Sequence, residues 1–289
     1  MPEQISSEKL TQAEAYRLVD VVSEQEGLAW TASAYEIADT ADWIFQATCD
    51  DNPDLDAFAV LARATFGRTI AFSAEKLDPN INWVARSLEG LRPVVAGGFY
   101  VYGSHETEPV PHGVIGLKID AAQAFGTGHH ETTAGCLQAI DRVLKRETPR
   151  AAIDIGTGTG VLAIAIAKRT RRAVIATDID PIAVKTTREN ARENGVAGLI
   201  VPIEATGLTH KEIAAGAPYD LLVANILAGP LVKLAPAMGR AAARGATIIL
   251  SGILVHQAQR VLAAYRPQGM VLKTRLIKKE WATLVLEKH

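Results

Sequence analysis

The chain has 289 residues, room for two domains, with 48% hydrophobic and 21% charged content, as in an ordinary soluble globular protein. The opening MPEQISSEKL lacks the basic and apolar regions of a signal peptide. The longest apolar stretch, Leu221–Met238, is interrupted by Asn225, Gly229, two prolines and Lys233, which excludes it as a membrane span. Cys49 and Cys136 show no metal spacing and read as reduced core thiols of a cytosolic protein.

The net charge of -2 hides an asymmetry. Residues 1–100 hold 7 Lys+Arg and 16 Asp+Glu, whereas the remainder holds 23 and 16. An acidic first part suits a basic partner met through complementary fields. It argues against nucleic acid there, which asks for the opposite sign.

That first part reads as a small α+β unit. Thr11–Gln25 carries Ala15, Leu18, Val19 and Val22 at helical spacing, with Thr11 as N-cap. Leu28–Ile37 and Trp43–Thr48 read as strands, the second alternating Trp43, Phe45 and Ala47 on one face. The acidic turn Asp50–Asp56 suits the start of a helix over Leu55–Thr65. Thr69–Ser73 reads as a strand and Asn82–Leu88 as a short helix. Trp30, Trp43 and Trp83 read as core or interface residues rather than a cofactor box. Val94–Tyr102 reads as one more strand, followed by the polar, proline-broken Gly103–Pro111. The expected division is a recognition domain over 1–95, a linker over 96–112 and a catalytic domain over 113–289.

The catalytic part opens with a strand over Val114–Ile119 and the segment AFGTGHHETT, Ala124–Thr133, before a helix over Ala134–Arg146. Gly126 and Gly128 make a tight loop, and Thr132 or Thr133 can cap the helix and offer a hydroxyl to a ligand. His129, His130 and Glu131 are adjacent in sequence, whereas zinc helices carry histidines four apart, so a loop folded over a ligand is expected and no metal.

The chain is organised around Ala151–Gly160, AAIDIGTGTG, followed by the helical Val161–Lys168. Strand, glycine turn and helix open a nucleotide-binding α/β sheet. Gly156, Gly158 and Gly160 alternate, so the third glycine comes one residue early for a dinucleotide fingerprint. Asp154, two residues before the first glycine, is poorly placed beside a pyrophosphate and well placed beside a cation. S-adenosylmethionine has a sulfonium, an ammonium and no phosphate, so D-x-G-x-G-x-G favours this methyl donor over NAD.

Ala173–Thr177 is the next strand, ending at Asp178, 22 residues beyond Gly156, where an acidic side chain accepts hydrogen bonds from ribose hydroxyls. Asp180 and Pro181 suit the start of a helix over Ile182–Asn194. Strands follow at Leu199–Glu204 and Tyr219–Ala224. The latter ends in Asn225, either a turn-forming residue or an amide that orients a substrate nitrogen. The sheet closes with Ala246–Ser251, a helix over Val255–Tyr265, and a hairpin of Val271–Ile277 and Trp281–Leu286.

AFGTGHHETT, IDIGTGTGVLAIA, ATDIDPIAV, VANILAGPL and SGIL, in this order and spacing, resemble the ribosomal protein L11 methyltransferase family, PrmA type. The NILAGPL segment is the most family-specific piece. The resemblance implies a Rossmann-like class I methyltransferase domain, a mostly parallel sheet with a terminal antiparallel hairpin, behind a small α+β substrate-recognition domain. It implies S-adenosylmethionine as cofactor, S-adenosylhomocysteine as product, and methylation of lysine side chains and the N-terminal amine of that ribosomal protein. Carried over by motif, the donor-binding positions are Thr133, Gly156, Asp178 and Asn225, with the Phe125–Thr127 loop closing over the donor; Asp154 and Gly158 of the glycine turn join them. The chain departs from the family's Thr-His-Pro-Thr-Thr at His129–Thr133, where Glu131 stands in place of proline.

Methyl transfer to nitrogen is an in-line displacement that needs a neutral amine, and no dedicated base stands out. Asn225 is the expected catalytic residue, aiming the lone pair while water takes the proton. A monomer is expected, without membrane or direct nucleic-acid contact. The rival readings are a nicotinamide oxidoreductase on the same sheet, a binding module with a relic donor site, and a methyltransferase acting on RNA or another protein.

Overall fold

The computed structural model describes residues 3–76 apart from 24, 26, 30, 38 and 39, residues 93–119 apart from 105, and residues 130–289; the side chains of 23, 31, 36 and 130 are also outside it. The chain divides into two compact units, Met1–Asn82 and Trp83–His289.

In the first unit, β1 (Glu3–Ser7), α1 (Gln12–Ser23), β2 (Thr31–Glu36), β3 (Trp43–Cys49), α2 (Leu55–Phe66) and β4 (Phe72–Lys76) follow in order. The strands form an antiparallel sheet in the order β2-β3-β1-β4. Thr11 and Glu14 form a reciprocal cap on α1: the Thr11 amide donates to Glu14 Oε2 at 2.9 Å, and the Glu14 amide donates to Thr11 Oγ1 at 3.3 Å. Asp54 caps α2 by accepting from the Ala57 amide at 3.0 Å, as the acidic turn foretells. Ile5, Leu18, Phe45, Phe58 and Ile70 are essentially inaccessible and form the core.

Two elements differ from the sequence reading. β1 was not expected, because its inward positions include polar Glu3 and Ser7 beside Ile5. β4 begins later than expected, since its pairing with β1 runs from Phe72 to Lys76. The helix expected over Asn82–Leu88, and Trp30 and Trp83, lie outside the described residues.

In the second unit, the span expected as one strand over 94–102 is a hairpin of β5 (Val94–Ala96) and β6 (Phe99–Tyr102), turning at Gly97, whose φ is 59°. β7 (Ile115–Lys118) pairs parallel with β6. Phe99 and Leu117 are fully buried against the helices of the large sheet. Residues 96–112, read from sequence as a linker, therefore begin with core structure of the second unit, whose hydrophobic strands a polar connector could not supply.

The large sheet has β8 (Ala152–Ile155), β9 (Val174–Asp178), β10 (Ile200–Glu204), β11 (Tyr219–Asn225), β12 (Ala242–Leu254), β13 (Met270–Lys278) and β14 (Trp281–Lys288), in the order β10-β9-β8-β11-β12-β14-β13. β8 to β12 are mutually parallel. β14 inserts antiparallel between β12 and β13. α3 (His130–Leu144), α4 (Val161–Thr170), α5 (Pro181–Glu193), α6 (Lys211–Gly216), α7 (Ala228–Ala241) and α8 (Ala258–Tyr265) connect and cover these strands. The strands are near-continuous apolar runs because both faces are buried. This is the mostly parallel Rossmann-like architecture. Among the described residues no helix is long and apolar enough to cross a membrane.

Candidate functional site

In an open α/β sheet the ligand crevice lies beyond the carboxyl ends of the strands, where the order reverses. Here β8 is flanked by β9 and β11, so the turns after these three strands converge.

Asp154, in β8, is 1% exposed. Its Oδ2 accepts from Thr157 Oγ1 at 2.7 Å and from the Ala163 amide at 3.1 Å, strapping the glycine turn to the first turn of α4. Its Oδ1 is buried without a hydrogen-bond partner among the described residues. Burial pushes the carboxyl up to about 7, opposed by those two hydrogen bonds and assisted by the negative charge of Asp178. Asp154 thus holds the turn with one oxygen and leaves the other without a donor among the described residues.

Asp178 ends β9. Its Oδ2 accepts from the Gly158 amide at 2.8 Å and its Oδ1 from the Asp180 amide at 3.1 Å. Burial raises its affinity for the proton, while the bond from Gly158 pulls the other way. Asp180 caps α5, accepting from the Ile182 amide at 2.8 Å. Between the two aspartates Ile179 is 68% exposed, an apolar side chain at the crevice that the sequence reading passed over.

Asn225 ends β11, opposite Ser251 of β12. Its Nδ2 donates to Thr133 Oγ1 at 3.4 Å, and its Oδ1 is buried with no partner among the described residues. Thr133 lies in the first turn of α3, whose neighbour Thr132 offers its carbonyl to Ser251 Oγ at 3.4 Å; Ser251 also meets Thr283 Oγ1 at 2.9 Å. Glu131 in the same turn forms an ion pair with Lys279 in the turn between β13 and β14.

Ile226 is the residue that sequence reasoning missed. A Cβ on Gly156, where φ is 70°, would lie 2.3 Å from Ile226 Cγ2. A Cβ on Gly252, where φ is 79°, would lie 2.6 Å from the Ile226 carbonyl oxygen. Two glycines from different motifs therefore grip one residue and fix the turn that presents Asn225. The glycine of SGIL was the available signal, but only contact shows what it approaches.

The structure thus brings Thr133, Asp154, Gly156, Gly158, Asp178 and Asn225 to one end of the sheet. Phe125, Gly126 and Thr127 lie outside the described residues.

The family model for ribosomal protein L11 methyltransferase (PrmA) matches residues 10–289. The chain is 44% identical over 280 residues to a ribosomal protein L11 methyltransferase of Rhodopseudomonas palustris, covering 96% of this chain and 94% of that one. It is 44% identical over 282 residues to the protein of that name from Brucella suis, covering 98% and 97%. A crystal structure of ribosomal protein L11 methylase from Lactobacillus delbrueckii subsp. bulgaricus superposes with a TM-score of 0.62 at 27% identity, over 69% of this chain and all of that one. With the match running through both units, this chain belongs to the ribosomal protein L11 methyltransferase family.

Proposed function

We propose that this chain transfers methyl groups from S-adenosylmethionine to lysine side-chain amines, and to the N-terminal amine, of ribosomal protein L11. The observation that carries the reading is the Asn225 amide at the end of β11, its buried oxygen unpartnered among the described residues and its nitrogen on Thr133. An unpaired buried acceptor is costly unless a ligand supplies the donor.

The residues present fit the methyl donor. Asp154 Oδ1 and Asn225 Oδ1 are buried acceptors awaiting donors, which suits a cationic group and an amine. Asp178 retains acceptor capacity on both oxygens for ribose hydroxyls, beside the exposed apolar Ile179. The clearance that Gly156 leaves to Ile226 keeps backbone close to the crevice. Phe125, Gly126 and Thr127 belong to the same reading, as the segment that closes over the donor.

When bound, S-adenosylmethionine supplies a sulfonium-activated methyl group for in-line displacement by nitrogen. A lysine of pKa about 10.4 must first shed a proton, at a cost of roughly 4 kcal/mol at pH about 7.4. Desolvation in the crevice lowers that cost. Asn225 Oδ1 accepts an N–H of the incoming amine and fixes the direction of its lone pair. Thr133 holds the amide in register, and the departing proton goes to water. Positioning then supplies most of the acceleration.

The acidic first unit is the surface for the basic substrate, by charge complementarity. Cys49 and Cys136 are both buried thiols, pushed up to about 11 and about 12 chiefly by burial, which suits a reducing cytoplasm. The enzyme acts there as a monomer. Mass spectrometry of purified ribosomal protein L11, incubated with enzyme and S-adenosylmethionine, tests the reading. Single-methyl mass steps on lysine peptides and the N-terminus support it, and an unchanged protein beside measurable donor binding refutes the substrate.

A further inference from the structure

The opposite end of the large sheet has a distinct chemical character. Parallel strands joined by crossover helices place every strand start and helix end on one side. On that side Arg150 lies two residues before the first residue of β8, and Arg171 and Arg172 lie between α4 and β9. Arg240 closes α7, Arg244 lies in the irregular start of β12, and Arg266 stands between α8 and β13. All six are exposed, and none has a carboxylate partner among the described residues. In sheet order they reach from β9 to β13, five strand intervals of about 4.8 Å, or roughly 24 Å.

The carboxylates of this end are mostly occupied. Asp141 is buried and holds Lys145 at 2.7 Å and Arg169 at 3.2 Å. Asp220 Oδ2 accepts the Arg150 and Ala151 amides at 2.8 and 3.2 Å. Glu147 remains as an exposed acidic side chain. Basic residues at helix ends are ordinarily explained by the helix dipole. That account covers Arg240, Arg171, Arg172 and Arg266 at their helix ends, but Arg150 and Arg244 lead into strands, where no such dipole acts.

We propose that this arginine face binds the phosphate backbone of structured RNA. Six guanidinium forks spread along one direction match a row of phosphates better than the apolar anchors of a protein interface. Among the described residues of the second unit no large aromatic side chain is exposed, so base stacking is not the mode. Recognition is therefore through the backbone, independent of sequence and steep in salt. The face lies at the amino ends of the strands, away from Asp178 and Asn225 at their carboxyl ends. Bound RNA leaves the methylation crevice open. The expectation of no nucleic-acid contact rests on the charge of residues 1–100, which are largely a different unit.

The test is fluorescence anisotropy of a labelled RNA stem-loop titrated with the full-length enzyme at several potassium chloride concentrations. Binding should weaken linearly on a log-log plot, by nearly one unit of slope per phosphate contact. Arg171→Glu, Arg172→Glu and Arg244→Glu combined should weaken binding at least about tenfold and lower the slope by two or more. Its melting temperature and its methylation of free ribosomal protein should stay unchanged. If that variant misfolds, Arg150→Gln with Arg266→Gln replaces it, with the same direction expected. The proposal is overturned by no binding at low salt, by variants that bind as the parent does, or by poly-L-glutamate competing as well as unlabelled RNA.

Discussion

Thr133 and Asn225 stand 92 residues apart in the chain and meet at the carboxyl end of the sheet, Asn225 Nδ2 donating to Thr133 Oγ1 at 3.4 Å. The bond fixes which way the amide points, and so leaves its oxygen, not its nitrogen, for an incoming amine. Asn225→Ala should lower kcat by about 100-fold, the order expected when a reacting group loses its orientation. Thr133→Val, which removes one hydrogen bond but keeps the shape, should cost about tenfold. Steady-state methylation assays check both; an Asn225→Ala enzyme with full turnover would remove the residue from the mechanism.

Asp154 makes the site sensitive to pH. Burial raises its carboxyl from an ordinary value near 3.8 to about 7. Between those values the folded chain keeps a proton that the unfolded chain releases. The stability contribution is full below about 4, falls as pH rises to about 7, and is level above. Relative to Asp154→Asn, the parent should therefore lose melting temperature across that window. A cationic donor favours the ionised carboxylate, so its affinity should rise with pH and flatten above about 7. Calorimetric titrations from pH 5.5 to pH 8.5, on an about half-unit grid bracketing that midpoint, would show it; a flat profile separates Asp154 from the donor.

The two glycines around Ile226 should respond differently to the same rescue. Either replacement by alanine puts a side chain in the left-handed region, at about 1–2 kcal/mol. Gly156→Ala also collides with a side-chain atom, so Ile226→Ala should relieve part of the loss. Gly252→Ala meets Ile226 backbone atoms at 2.6 and 2.9 Å and should gain nothing from that second change. Urea unfolding of the two double-mutant cycles distinguishes them, with coupling expected in the first alone.

The Glu131–Lys279 pair ties the first turn of α3 to the terminal hairpin, in the turn that carries Thr133. Lys279 is 72% exposed along its side chain, so the pair is worth only about 0.5 kcal/mol and weakens with salt. Lys279→Ala should raise the donor KM a few-fold at low ionic strength and change little at high. Swapping the charges, Glu131→Lys with Lys279→Glu, should restore the parent value in the same assay.

Sequence alone determined what depends on neighbours along the chain. The strand–glycine–helix pattern at Ala151–Lys168, the acidic start of α2, the Asp180 cap, and the placement of Asp178 and Asn225 at strand ends all follow from local periodicity and turn chemistry. The tertiary structure alone decided what depends on pairing between distant segments. Chain order does not say that β14 enters between β12 and β13, nor that polar Glu3 and Ser7 face inward in β1. One apolar run over 94–102 is consistent with one strand or two, and the turn at Gly97 chooses. The grip of Gly156 and Gly252 on Ile226, the choice of Thr133 as partner for Asn225, and the gathering of arginines at the amino end of the sheet are likewise non-local. A residue's type fixes which bonds it can make, but the partner comes from elsewhere in the chain, and only the packed fold brings the two within reach.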